Sequence, residues 1–319
     1  LENKPTDLSL FFQIQKLKYD KCLEPSFSCA NAAIRAHSVQ NATAMGYISE
    51  DNHLAEIRMR IVGGRPTCRF ETVGRNEAST FTGLCSHHDT SIFLPIDTKP
   101  LDLEDEEQLF LIAYRSATRE LHVTIESAVR IQSAYETLVS KGQASATEPS
   151  SPGMEAIQHM LKAYSVWRYR RDHFDVDLTA GRYGNLRHSY FVIEGEKPIL
   201  TSSSFFSVDS KPWGRPFAAV LLNVVPLDHS TTAVIFSYHK NHSGKVRRYI
   251  APVIMSKGSQ QKHELSLLLL QNADNFFLSP SVVKAWSDER RERIETAFAS
   301  TILGERRIER SPDFMLFPD

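Results

Sequence analysis

Hydrophobic and polar positions change their period three times along this chain, and each change predicts a different kind of element. Leu54 to Ile61 alternates, with Leu54, Glu56, Arg58 and Arg60 set against Ala55, Ile57, Met59 and Ile61, which predicts a strand. Gly63-Gly64-Arg65-Pro66 reads as a turn and Thr67 to Val73 as the returning strand of a hairpin. From Asp102 to Lys141 the period lengthens. Leu109, Ala113, Ala117, Leu121, Ile125 and Val129 recur every four residues, with Ile112 and Ala128 beside them, and predict a long helix. Asp102, Glu104, Asp105, Glu106 and Glu107 crowd its start, where the helix dipole favours negative charge, and Gly142 marks its stop. The polar run Gln143 to Pro152 is the best linker in the chain. Met154 to Arg171 predicts a second helix with Ile157, Met160, Leu161, Tyr164 and Trp167 on one side, and two long helices so joined predict an antiparallel pair.

Beyond Leu186 the pattern shortens to β-branched or aromatic runs divided by Gly, Pro, Asn and Asp. Tyr190 to Ile193, Ile199 to Val208, Phe217 to Val225, Thr232 to Tyr238 and Lys245 to Met255 predict an antiparallel meander of five strands, with His242-Ser243-Gly244 as a hairpin turn. Glu264 to Asn275 and Ser281 to Leu303 read as closing helices, the second capped by Ser279 or Ser281. Near the start the signal is weaker. Asp7 to Tyr19 suits a short helix or a strand, Ala30 to His37 a helical turn, and Ala42 to Ile48 a short helix.

Composition narrows the function classes only a little. The chain has 319 residues, 41% hydrophobic and 24% charged, so it is long enough for two domains and for a sizeable core. With 37 basic and 38 acidic residues the net charge is −1, and overall charge gives no pull toward nucleic acid or membrane. Four cysteines are too few for a disulfide scaffold, no apolar run is long enough to span a bilayer, and no signal pattern opens the chain. These features lead to an expected cytoplasmic location.

The chemistry is concentrated in Gly83-Leu84-Cys85-Ser86-His87-His88-Asp89. Cys85 and His88, three residues apart, are spaced to reach one metal ion from a tight turn or a helix start. The other half of a four-ligand site is available upstream at Cys22 and Cys29, with His37, His53, His87 and Asp89 as spares. Zinc suits such a set of nitrogen and sulfur donors. The blander reading is that these are buried thiols and surface histidines, and Cys68, on a strand without a neighbouring ligand, is read as core. His37 has three readings: a ligand in place of Cys29, a general base, or a plain helix histidine. Trp167-Arg168-Tyr169-Arg170-Arg171 interleaves basic and aromatic residues as nucleic-acid surfaces do, and is read in preference as a helix with a core Trp and solvated arginines. A fainter activity around His188, His239 and His242 rests on no pattern.

Cys22…Cys29…Ala36-His37-Ser38-Val39-Gln40, followed by Gly83-x-Cys85-x-x-His88-Asp89-x-x-x-Phe93-x-Pro95-Ile96, resembles a poorly characterised bacterial family that carries both blocks. The order is also similar to zinc-bearing HNH nucleases and other treble-clef modules. That resemblance covers about the first hundred residues. It implies Cys22, Cys29, Cys85 and His88 as zinc ligands and His37 as the catalytic base of a nuclease used in bacterial conflict or defence. The motif departs at Ala36, where the nucleases usually carry an acidic residue. The expectation is an α+β protein with a treble-clef-like zinc-binding module at 1–100, a helical hairpin region at 101–185 and an antiparallel β-rich domain at 186–319 closed by helices. Its function is to act on nucleic acid or, alternatively, to serve as a non-catalytic interaction or sensor protein with a structural zinc. In the second case a protein partner or a second copy would replace nucleic acid.

Overall fold

A computed structural model describes residues 16–62, 65–209, 213–302 and 308–318. The element expected at Asp7 to Tyr19 and the turn at Gly63-Gly64 fall outside them for the most part. The strands are β1 (Ala36–His37), β2 (His53–Val62), β3 (Arg65–Gly74), β4 (Thr80–Phe81), β5 (Leu186–Glu194), β6 (Leu200–Ser207), β7 (Ala219–Pro226), β8 (Thr231–His239) and β9 (Phe276–Leu278). The helices are α1 (Gly46–Ile48), α2 (Ser86–Asp97), α3 (Glu106–Ser140), α4 (Ser151–Arg170), α5 (Val176–Thr179), α6 (Ser243–Met255), α7 (Gly258–Asn272), α8 (Pro280–Ala285) and α9 (Asp288–Ile302).

Seven strands form one sheet in the order β3-β2-β9-β6-β7-β8-β5, and each pairing is antiparallel. The hairpin from the first hundred residues thus joins the same sheet as the later strands, through Ala55 opposite Leu278. Side chains alternate across a strand, so the sheet has two faces with separate jobs. Val220, Leu222, Val224, Val234, Phe236 and Tyr238 pack with Val246, Ile250, Leu265, Leu269, Ile294 and Phe298 of α6, α7 and α9. Ala233 and Ile235 face the other way and meet Leu109 of α3. Burial on both faces explains why β7 and β8 read as almost unbroken apolar runs.

Helix α3 links the sheet to the N-terminal segment. Asp105 caps its start, the carboxylate accepting from the amides of Glu107 at 2.9 Å and Gln108 at 3.1 Å. Ser116 rests on the sheet, hydrogen-bonded to Ser203 at 2.8 Å and Asn223 at 3.0 Å. Phe110, Tyr114, Ala117 and Leu121 form a fully buried stripe at helical spacing, packed with Cys22, Leu23, Leu84 and Cys85. Each large side chain of that stripe contributes about 2 kcal/mol by leaving water. Helix α4 runs antiparallel to α3, with Ser127 opposite His159 at 2.9 Å and Glu120 opposite Lys162 at 3.3 Å.

Several local expectations are corrected. Ala30 to His37 is not a helical turn; its last two residues pair with Thr80–Phe81 as β1 and β4. Lys245 to Met255 is helix α6 and not a fifth meander strand, so His242-Ser243-Gly244 begins a helix instead of closing a hairpin. Val246, Ile250 and Val253 are spaced for one helix face, which the β-branched composition of the run obscured. On α4 the apolar side read from the sequence points largely outward, with Ile157, Met160, Leu161 and Tyr164 exposed. The buried side is Ala156, Ala163, Val166 and Tyr169, because small residues let α4 lie close to α3. Among the described residues no helix is long and apolar enough to cross a membrane.

Candidate metal centre

Backbone hydrogen bonds bring the two halves of the cysteine–histidine set together. The amide of Leu23 donates to the Gly83 carbonyl at 2.8 Å, and that of Ile34 to the Leu84 carbonyl at 2.7 Å. The amide of Ala33 donates to the Asp20 carbonyl at 2.7 Å, closing the loop that holds both early cysteines. Inside the loop, the Glu24 carboxylate accepts from the amides of Ser26 at 2.7 Å, Ser28 at 2.6 Å and Cys29 at 3.1 Å, and from the Ser26 hydroxyl at 2.6 Å. Burial pushes this carboxyl up, but those donors outweigh it and hold it down at about 2. Glu24 therefore acts as the hub of the wide Cys22–Cys29 loop, substituting for the tighter turn of an ordinary knuckle.

The four donor atoms of Cys22, Cys29, Cys85 and His88 lie within 4.8 Å of one another. Cys22 Sγ is 3.5 Å from His88 Nδ1, Cys85 Sγ is 3.3 Å from the same nitrogen, and Cys29 Sγ is 3.9 Å from Cys85 Sγ. A tetrahedron built on zinc bond lengths has sulfur–sulfur edges of about 3.8 Å and sulfur–nitrogen edges of about 3.5 Å. The 3.9 Å sulfur separation is far beyond a disulfide bond, and all four cysteines are free. The set could hold a metal ion.

The surroundings favour thiolate at Cys85 and oppose it at Cys22. Cys85 caps α2, and its own amide donates to Cys22 Sγ at 3.2 Å. Burial raises the Cys85 thiol, but the amide and ring of His88 and the neighbouring sulfurs bring it down to about 7. Burial carries Cys22 up to about 11 against the pull of the Cys85 and Glu24 amides. Two thiols this close cannot both ionise easily without a cation between them.

Two further residues fix the centre in place. Arg170 is fully buried; its guanidinium donates to the Leu23 carbonyl at 2.7 Å and pairs with Asp175 at 3.2 Å. The expectation that the arginines of this helix are solvated thus fails at Arg170, which no sequence pattern singled out. Trp167 is partly buried against the same core, as expected. Gly83 passes so close to Phe81 that a β-carbon there would sit 2.4 Å from the ring edge.

His37 does not join the four. It lies on β1 opposite Thr80, where burial pushes its imidazole down, partly opposed by backbone groups of Arg75 and Asn76. Its Nε2 is buried without a hydrogen-bond partner. Of the spares, His87 is exposed beside His88, Asp89 follows on α2, and His53 is hydrogen-bonded to the Asp51 carbonyl at 2.7 Å. Cys68 is buried in the sheet core, as expected. His188 is bound to Ser237 at 2.9 Å and held down at about 4 by burial, while His239 and His242 belong to a separate group with His173. Comparison of the chain with protein-family models, with characterised proteins and with solved structures finds no match.

Proposed function

We propose that Cys22, Cys29, Cys85 and His88 hold one structural zinc ion, and that the protein is an interaction or sensor protein whose N-terminal module this ion fastens to helices α3 and α4. The observation that supports it best is the fit of the three donor separations, 3.3, 3.5 and 3.9 Å, to the edges of a zinc-centred tetrahedron. Four protein ligands leave no open position for substrate, as is usual where zinc holds a fold together. The treble-clef-like reading is supported by a ligand-bearing loop ahead of the β1–β4 strand pair and by Cys85 at the N-cap and His88 in the first turn of α2, although the β2–β3 hairpin is inserted between β1 and β4. A cleft of about 680 Å³ opens beside His88 between Glu24, Arg171, Asp175 and Arg182, and offers a partner a surface that the metal shapes.

This reading is preferred to an HNH-like nuclease because of His37. A general base must reach its substrate, and the unpartnered nitrogen of His37 is buried. The deciding experiment is metal content together with a nuclease assay on DNA and RNA in zinc, magnesium or manganese. One zinc bound by the cysteine set, retained in His37→Ala and lost in Cys85→Ser, without cleavage, is the expected result. Cleavage abolished by His37→Ala would replace this proposal with the nuclease, and absence of zinc would remove the centre.

A further inference from the structure

We infer that His173, His239 and His242 form a second metal site, for a first-row divalent ion of the zinc, cobalt or nickel kind, separate from the cysteine centre. The three residues come from three places: the π-helical turn after α4, the end of β8, and the single 3-10 turn that follows it. Their ring centres are 4.3, 5.0 and 5.7 Å apart. An ion about 2.0–2.1 Å from three imidazole nitrogens in tetrahedral arrangement sets the ring centres about 5 Å apart, and the observed values bracket that spacing. Imidazole donors suit zinc, nickel and copper better than the hard cations magnesium and calcium.

The neighbourhood has the features of a ligand shell. Nδ1 of His242 is buried without a hydrogen-bond partner, an arrangement a bound ion would explain. Tyr169 contacts both His173 and His242 and is backed by Phe205 and Phe217, so an aromatic wall excludes water on one side. The buried carboxylate of Asp177, fixed by Asn185 at 2.8 Å and Arg182 at 3.1 Å, adds negative charge that favours a cation near His173 and His239. Among the described residues the cysteine set alone has donor atoms all within 4.8 Å, so loading here turns the rings inward about their side-chain torsions. Three ligands leave a fourth position open, the arrangement of a reactive centre and not of a structural one.

The test is a titration of the full chain with cobalt(II), whose visible spectrum separates thiolate from imidazole ligation. Expected is one equivalent beyond that taken by the cysteines, bound without a sulfur charge-transfer band and retained in Cys85→Ser. His173→Ala and His242→Gln, both at half-buried positions, each weaken it by at least about tenfold. Thermal melts without added metal verify that the variants are folded, and if one is not, the other carries the comparison. No equivalent beyond the cysteine site in the wild-type protein, or equal binding by a folded histidine variant, overturns the site.

Discussion

The backbone amide of Cys85 donates to the sulfur of Cys22 across 3.2 Å, joining the two halves of the candidate centre before any metal is added. The same residue supplies a sulfur of its own, 3.3 Å from His88 Nδ1. Changing Cys85 to Ser leaves the amide in place and removes one of the proposed ligands. Metal binding and folding are coupled in such sites. Cys85→Ser is therefore expected to lose the zinc of the cysteine site and at least about 2 kcal/mol of stability. Chelator added to the wild-type protein should have the same effect. Trp167, packed on the same core, reports the change by fluorescence, and metal content is measured alongside. An unchanged melting curve in the variant would rule out a structural ion.

Glu24 offers a sharper test, because it organises the loop without being a proposed ligand. Its carboxylate gathers the amides of Ser26, Ser28 and Cys29, and no neutral amide side chain can accept all of these donors. Glu24→Ala is expected to weaken zinc affinity by roughly 10- to 100-fold, with Glu24→Gln between it and the wild type. Competition with a chromophoric chelator measures this. Equal affinities would mean that the loop finds its shape without the carboxylate.

The sequence carried the four residues of this cluster but not its supports. Cys85 and His88 declare themselves by spacing, and Cys22 and Cys29 as the upstream cysteines once Cys68 is read as core. Glu24 looks like any loop acid, and Arg170 like one more cation in a basic stretch, because what defines them is the backbone carbonyl or amide each meets in three dimensions. The alternation in β2 and β3 was legible because the hairpin is local. The joining of that hairpin to β9 was not, since Ala55 and Leu278 lie far apart in sequence and no pattern records their pairing. Helix α6 was missed because β-branched residues suit a strand, and the sheet face it covers decided otherwise. The outward stripe of α4 was misjudged for the opposite reason: alanines, which leave little trace in an apolar pattern, make its close packing.

Gly83 is expected to tolerate no side chain. A β-carbon there would meet Cε2 of Phe81 at 2.4 Å and Cδ2 at 2.9 Å, and Phe81 is itself buried against its neighbours. The carbonyl of Gly83 also receives the Leu23 amide, so a shift of the backbone would disturb the cysteine loop. Gly83→Ala should cost about 1–3 kcal/mol by overpacking and lower metal affinity as well. Gly74, whose added β-carbon meets nothing within 4 Å, is the control, and Gly74→Ala should leave the affinity alone.

Acid should destabilise the protein through its buried imidazoles, and His188 allows one of them to be isolated. Burial holds its folded-state value at about 4, below the roughly 6.5 of an unfolded chain. As pH falls, the unfolded state therefore binds the proton first, so the stability carried by the neutral ring is fully present above about 6.5 and is lost down to about 4. For this one group the loss between pH 7.5 and 5 is on the order of 2 kcal/mol. His188→Gln keeps a polar group near Ser237 but cannot titrate. Urea unfolding at the two pH values should show a smaller loss in the variant, by about that amount. A variant whose stability falls as steeply as the wild type would show that His188 titrates alike in the folded and unfolded chains.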